Sequence, residues 1–239
     1  MLIIAHRGYS GAYPENTIRA FKTALDLGAQ AIELDVHLCK DKQLIVTHDY
    51  TFGRTVKASG SVGDYTAAEL AQFDAGSFKN TSFHNEKIPL LNDVLKLINN
   101  KCLLNIEIKT ESLVDESAYE AMTLGLLKVI KNYGSDNLIF SSFNHESLKR
   151  LRQQNRDARI AVLDDRRDAK DYLDLARSIK AEAYNVALKR INKEQVLKIQ
   201  KEFKVYAYTV KNESDLQLAK DLAVDGIFAD NLEEAIRFL

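Results

Sequence analysis

The sequence predicts a closed α/β barrel of eight parallel strands with alternating helices, the (β/α)8 or TIM-barrel architecture. Three observations lead there. From residue 102 onward, short apolar runs alternate with amphipathic helical stretches, which is the signature of a parallel sheet with helical crossovers. After a longer first gap, strand starts recur about every 22 residues. The runs count to eight once one antiparallel arm is set aside, and eight strands close such a barrel. A length of 239 residues suits one barrel, so the chain reads as a single catalytic domain over 1–239.

The elements follow in chain order. Residues 2–5 form the first strand, and 17–27 form a helix closed by Gly28. Residues 31–36 are the second strand, and 44–48 are strand-like again only about seven residues later. A parallel crossover needs a dozen residues or more, so 31–48 is predicted to be a long hairpin turning near Lys40-Asp41-Lys42. Residues 49–87 are polar and broken by glycines, with one short helical pattern at 67–73. They read as a small insertion between the second strand and its helix, 91–98. Insertions at that point lie on the catalytic face of a barrel. The later strands are expected at 103–108, 138–141, 160–163, 183–186, 205–209 and 226–229. The helices between them are expected at 119–131, 147–153, 171–179, 193–202 and 214–222.

Composition excludes several classes. Hydrophobic residues make up 46% and charged residues 28%, enough for a full core and too apolar for a disordered chain. The formal net charge is -1, so no global basic field attracts nucleic acid. No apolar run approaches the roughly 18 residues of a membrane span. Two cysteines, Cys39 and Cys102, cannot build a disulfide scaffold and read as buried free thiols. With no basic segment preceding the apolar start, a reducing, cytoplasmic setting is expected. Self-association stays open.

Barrel chemistry sits at strand ends. The first strand ends in His6-Arg7-Gly8. Glu33 and Asp35, two apart on the second strand, share a face, as do Asn105, Glu107 and Lys109 on the next. The hairpin arm ends in His48-Asp49 and brings His48 beside these acids, opposite either Glu33 or Leu34. Converging acids in a low-dielectric mouth repel one another. A divalent cation removes the conflict, and an all-oxygen set of Glu33, Asp35 and Glu107 suits Mg2+ or Ca2+ better than Zn2+. Arg7, Lys109 and the cation would hold an anion, while His6 and His48 move protons. Phosphoryl chemistry follows.

These residues carry a resemblance. His6-Arg7-Gly8, Pro14-Glu15-Asn16-Thr17, Glu33-Leu34-Asp35-Val36 and His48-Asp49 are similar, in order, to motifs of the glycerophosphodiester phosphodiesterases. The likeness continues through Arg54-Thr55, Ile88-Pro89-Leu90, Glu107-Ile108-Lys109, Ser142-Phe143, Tyr208-Thr209-Val210 and Val224-Asp225-Gly226-Ile227. The pattern is that of a compact bacterial-type member. It implies metal-dependent hydrolysis of a small glycerophosphodiester to glycerol 3-phosphate and an alcohol, with His6 and His48 as the acid–base pair. It further implies Glu33, Asp35 and Glu107 as metal ligands, with Arg7 and Lys109 on the phosphate. A mechanism proposed for the family has the glycerol 2-hydroxyl attack phosphorus, and water then opens the cyclic phosphate.

Tyr208 stands where the family usually carries Trp, which preserves an aromatic wall. Leu90 replaces a helix-capping Thr. Phe228-Ala229-Asp230-Asn231 departs from the usual pattern without touching an acid–base or metal position. Phe143 is assigned to the substrate wall by resemblance, although by itself a strand-end Phe reads as core. Asn16 is read as the cap of the first helix. His37 is expected to be exposed along the hairpin, and His84 and His145 on the surface. Asp164-Asp165-Arg166-Arg167-Asp168 reads as a solvated loop. Competing functions are a lysophospholipase D, a phosphatidylinositol-cleaving lyase and an inactive phosphodiester-binding module. The first lacks an apolar landing helix in 49–87, and the last would have lost a histidine or carboxylate.

Overall fold

The computed structural model describes residues 1–134, 136–165 and 172–238. Among the described residues, nine strands form one sheet: β1 (Leu2–Ala5), β2 (Ala31–Leu38), β3 (Leu44–Val46), β4 (Leu103–Ile108), β5 (Leu138–Ser142), β6 (Ile160–Asp164), β7 (Ala183–Ala187), β8 (Lys204–Val210) and β9 (Gly226–Ala229). Sheet order runs β1-β9-β8-β7-β6-β5-β4-β2, and β1 also pairs with β2, so eight parallel strands close into a barrel. β3 lies antiparallel on β2 as the ninth strand. The predicted hairpin is therefore present. Its register pairs Val36 with Val46 and His37 with Ile45. Extended, that register places His48 level with Leu34, the second of the two expected alternatives. The ladder itself ends at Val46, two residues short of expectation.

The helices are α1 (Ile18–Asp26), α2 (Ala67–Leu70), α3 (Leu91–Ile98), α4 (Glu116–Tyr133), α5 (His145–Gln154), α6 (Leu173–Ser178), α7 (Lys193–Ile199), α8 (Glu213–Leu222) and α9 (Leu232–Phe238). α3 shows why they form: Leu91, Val94, Leu95 and Ile98 are buried, the spacing of one helical face. Leu90 gives it no side-chain cap, as its apolar character requires. Asn192 and Gln195 make a capping box on α7. Thr17, not Asn16, caps α1, accepting the Ala20 N–H. The start expected for α6 at Asp171 lies outside the described residues, as do Arg166, Arg167 and Asp168. Asp164, read as solvated, is instead buried and accepts the Tyr184 hydroxyl at 2.8 Å.

The core has two layers. Between strands and helices lie Phe21, Leu34, Leu95, Ile106, Met122, Leu148 and their neighbours. Inside the barrel are Ile4, Ala31, Ile139, Ala161, Ala183, Tyr206 and Phe228. Small alanines leave space that Tyr206 fills. Gly226 has to be small as well, because a Cβ there would sit 2.8 Å from the Tyr206 ring and 2.9 Å from the Leu2 carbonyl. Residues 49–87, read as polar, contribute most of an apolar cluster: Val56, Val62, Ala67 and Leu70 are buried beside Ile88, with Tyr50, Phe52, Tyr65 and Phe73 packed against it. Lys79 ties this segment to the barrel by donating to the carbonyls of Ser10 and Gly11. Among the described residues, no helix is long and apolar enough to cross a membrane.

The turn after β1 depends on Gly8. Its φ is +76°, and a Cβ would meet backbone atoms of Ala20 and Phe21 at 2.7 and 2.9 Å. Gly8→Ala is expected to lower stability by about 1–3 kcal/mol, measured as a lower denaturant midpoint. An unchanged midpoint would show that α1 can move aside.

Candidate active site

The strand ends of β1, β2 and β4 converge on a pocket of about 220 Å³ that opens to solvent. Its lining includes His6, Arg7, Glu33, His48, Asn105, Glu107, Lys109, Phe143 and Tyr208. Parallel pairing of β2 with β4 sets Asp35 level with Glu107 and Glu33 level with Asn105. Ligand atoms of Glu33, Asp35 and Glu107 all lie within 4.8 Å of one another. Glu33 and Asp35 are buried, and Glu33 Oε1 and Asp35 Oδ1 have no hydrogen-bond partner among the described residues.

Two cations lean on this cluster. The Arg7 backbone is left-handed, with φ of 58°. Its N–H donates to Glu33 Oε2 at 2.9 Å. Its guanidinium donates to Glu15 Oε1 at 2.7 Å and lies 3.4 Å from Asp35 Oδ2. Lys109 Nζ donates to Glu107 Oε1 at 2.9 Å and sits 3.5 Å from Asp35 Oδ1. Asp35 also takes a 2.7 Å hydrogen bond from Asn16 Nδ2 and returns its own N–H to Asn16 Oδ1 at 3.3 Å.

The electrostatics split the acids. Burial, with Asp35 and Glu107 as repelling neighbours, pushes the Glu33 pKa well above the usual carboxylate range. Glu107 is raised as well, by burial first, with Lys109 opposing. For Asp35, burial works upward, but Arg7, Lys109, His48 and Asn16 together hold it well below the usual range. Three clustered carboxylates, two of whose buried oxygens lack a hydrogen-bond partner among the described residues, have the donor chemistry for a hard divalent cation.

The two histidines are held alike. His6 Nδ1–H donates to Asp230 Oδ1 at 2.6 Å, and His48 Nδ1–H donates to Asp49 Oδ1 at 2.7 Å. A carboxylate at Nδ1 selects the tautomer and leaves Nε2 for proton exchange. Each carboxylate is held ionised. Burial opposes this, but the bonds from His6 at Asp230, and from His48 and Arg54 at Asp49, prevail.

Every residue assigned to the site from sequence therefore lies in or against one pocket. Phe143 is not core, as its residue type alone suggested: it is 41% exposed and meets Tyr208 edge-on at 5.9 Å. Asn16 is a brace for Asp35 and not a cap. Thr17 could cap by itself, so Asn16 was surplus to that role, and this was the available signal. Asp230, contrary to expectation, does touch His6, one of the two histidines expected to act as acid and base. His37 is fully buried, donates Nε2–H to the His48 carbonyl at 3.0 Å, and is covered by Tyr50 of the insertion. His145 is half-buried against Tyr172 and donates to the Leu163 carbonyl, whereas His84 is exposed as expected.

The raised Glu33 pKa has a stability consequence. A carboxyl whose folded pKa lies above its unfolded value favours the fold below the unfolded pKa of about 4.3. That contribution is lost as pH rises through the folded value. With chelator present at pH 7, Glu33→Gln is expected to stabilise the protein. A gain of about 1 kcal/mol would raise Tm by roughly 2–4 °C at this chain length. The gain should shrink towards pH 4. A lower Tm at pH 7 would show that the Arg7 contact outweighs the repulsion.

Residues 6–234 match the glycerophosphoryl diester phosphodiesterase family. A glycerophosphodiester phosphodiesterase of Caldanaerobacter subterraneus subsp. tengcongensis is 37% identical over 243 residues, covering 100% of this chain and 97% of that protein. One from Bacillus altitudinis is 36% identical over 247 residues, covering 98% and 96%. Among solved structures, an Oleispira antarctica phosphodiesterase in complex with its product sn-glycerol-3-phosphate superposes with a TM-score of 0.91 at 27% identity, covering 100% and 96%. The chain belongs to the glycerophosphoryl diester phosphodiesterase family.

Proposed function

We propose that this phosphodiesterase hydrolyses small glycerophosphodiesters to glycerol 3-phosphate and an alcohol, with one divalent cation and two histidines. The observation that supports this best is the pairing, across one pocket, of two carboxylate-anchored histidines above three clustered carboxylates. Glu33, Asp35 and Glu107 would hold Mg2+ or Ca2+, which would supply positive charge to a phosphoryl oxygen. Arg7 and Lys109 bind the remaining phosphate charge, and Phe143 with Tyr208 walls the leaving alcohol. One histidine Nε2 takes the proton of the glycerol 2-hydroxyl as it attacks phosphorus. The other donates a proton to the departing alkoxide, and the two exchange roles when water opens the cyclic phosphate. Residues 49–87 serve as an insertion of this one catalytic unit. The two free thiols, Cys39 and Cys102, suit a reducing, cytoplasmic setting.

Chelation is expected to abolish turnover and Mg2+ or Ca2+ to restore it. Glu107→Gln should raise the metal concentration needed for half-activity. Full activity after verified metal removal would sink the cation.

His6→Ala and His48→Ala are each expected to lower kcat by roughly 10²-fold or more, and the double variant by much less than the product. Metal affinity should stay unchanged. A nitrophenyl diester needs no proton on its leaving group, so one of the two variants should recover selectively with it, which names the acid. Equal, unrescued losses, or loss of metal in either variant, would overturn the roles.

A further inference from the structure

We infer that Arg54 of the insertion is a positioning residue that locks His48 and Arg7 into one frame, acting through Asp49 and Glu15. The inference rests on the proposed roles of His48 in proton transfer and Arg7 in phosphate binding. Arg54 Nε donates to Asp49 Oδ2 at 2.7 Å. Its two terminal nitrogens fork onto Glu15, Nη1 to Oε2 at 2.9 Å and Nη2 to Oε1 at 2.7 Å. The far side of each carboxylate serves the pocket. Asp49 Oδ1 accepts His48 Nδ1–H at 2.7 Å, and Glu15 Oε1 also accepts Arg7 Nη1 at 2.7 Å. The result is an unbroken chain, Arg7–Glu15–Arg54–Asp49–His48.

A guanidinium is planar and rigid, so one side chain sets the rotation of both carboxylates at once. The base of Arg54 is itself anchored. Phe52 N–H donates to the Gly60 carbonyl, Gly53 N–H to Val56 and Val62 N–H to Tyr50. Phe52 packs against Phe73 and Tyr65 at 5.4 and 5.9 Å. The insertion's apolar cluster thus supports a cation held over the mouth of the barrel. Among the described residues, His6 has no forked guanidinium of this kind: Asp230 Oδ1 accepts from the His6 ring and, at 3.4 Å, from Ser10. The Arg54 side chain is 49% exposed, and ion pairs at such exposure add little to stability. Its removal should therefore appear in turnover and not in melting, because displacement of reacting groups by a fraction of an ångström is costly to rate.

The test compares wild type, Arg54→Ala, Arg54→Lys and His48→Ala with glycerophosphoethanolamine as substrate. Arg54→Ala is expected to lose roughly 10-fold in kcat, through His48, and to show a raised KM, through Arg7. Its melting midpoint should be unchanged. Low-millimolar guanidinium should restore part of its activity while leaving wild type and His48→Ala unaffected. Arg54→Lys should be intermediate, since an ammonium cannot fork onto Glu15 while reaching Asp49. Asp49→Asn should lower mainly kcat, and Glu15→Gln should raise mainly KM. Wild-type kcat and KM in Arg54→Ala, alongside an inactive His48→Ala, would overturn the inference alone. So would a loss that follows a lowered melting midpoint and is not restored by guanidinium or by Lys. Full turnover in His48→Ala would overturn the acid–base reading instead.

Discussion

Mutual repulsion among three clustered carboxylates, two of them buried, governs the mouth of this barrel. Glu33, Asp35 and Glu107 lie within 4.8 Å of one another, in a setting where each charge is poorly screened. Most of the surrounding architecture answers that repulsion. Arg7 is bent into a left-handed conformation that turns its N–H to Glu33 and its guanidinium to Asp35. Lys109 lies between Asp35 and Glu107. Asn16, also left-handed, spends both ends of its amide on Asp35. The compensation is incomplete by design of the charges: three acids face two cations, and Arg7 is shared with Glu15. What remains is a cluster of carboxylate oxygens beside the pocket, two of them without a hydrogen-bond partner among the described residues.

Much of this was legible in the residues. Period-two spacing put Glu33 with Asp35, and Asn105 with Glu107 and Lys109, on inward faces, because strand geometry leaves no other arrangement. The hairpin was readable because about seven residues cannot make a parallel crossover. Its register was not, since a slip of one residue leaves both alternatives equally apolar on the buried face. The supporting residues were less visible. Asp230 reaches His6 across 224 positions of sequence, and such a partner follows only from closure of β9 on β1. His37 looked exposed because the residue that covers it, Tyr50, comes from a segment without strong periodicity. Phe143 shows the converse, an aromatic whose strand-end position decided its surroundings more than its apolarity did.

The two histidines are anchored by the same bond but at different structural distance, and that difference divides their dependence on the fold. His48 and Asp49 are neighbours in sequence, so their bond survives any motion that carries the hairpin end as a unit. Its precision relative to the carboxylates rests on the β2–β3 ladder, on Thr47 N–H donating to the Asp35 carbonyl at 3.1 Å, and on the insertion. His6 and Asp230 come from the two ends of the chain and meet only where β1 and β9 close the barrel. A local opening of that seam would separate His6 from its carboxylate while leaving His48, Glu33 and Glu107 in place. The His6 side of the pocket is thus tied to closure of the barrel, and the His48 side to docking of the insertion. The carboxylates on β2 and β4 are set by the register of those strands and braced by Arg7 and Asn16 from the turn after β1. The two histidines and the three carboxylates are therefore each positioned by a different set of contacts in this fold.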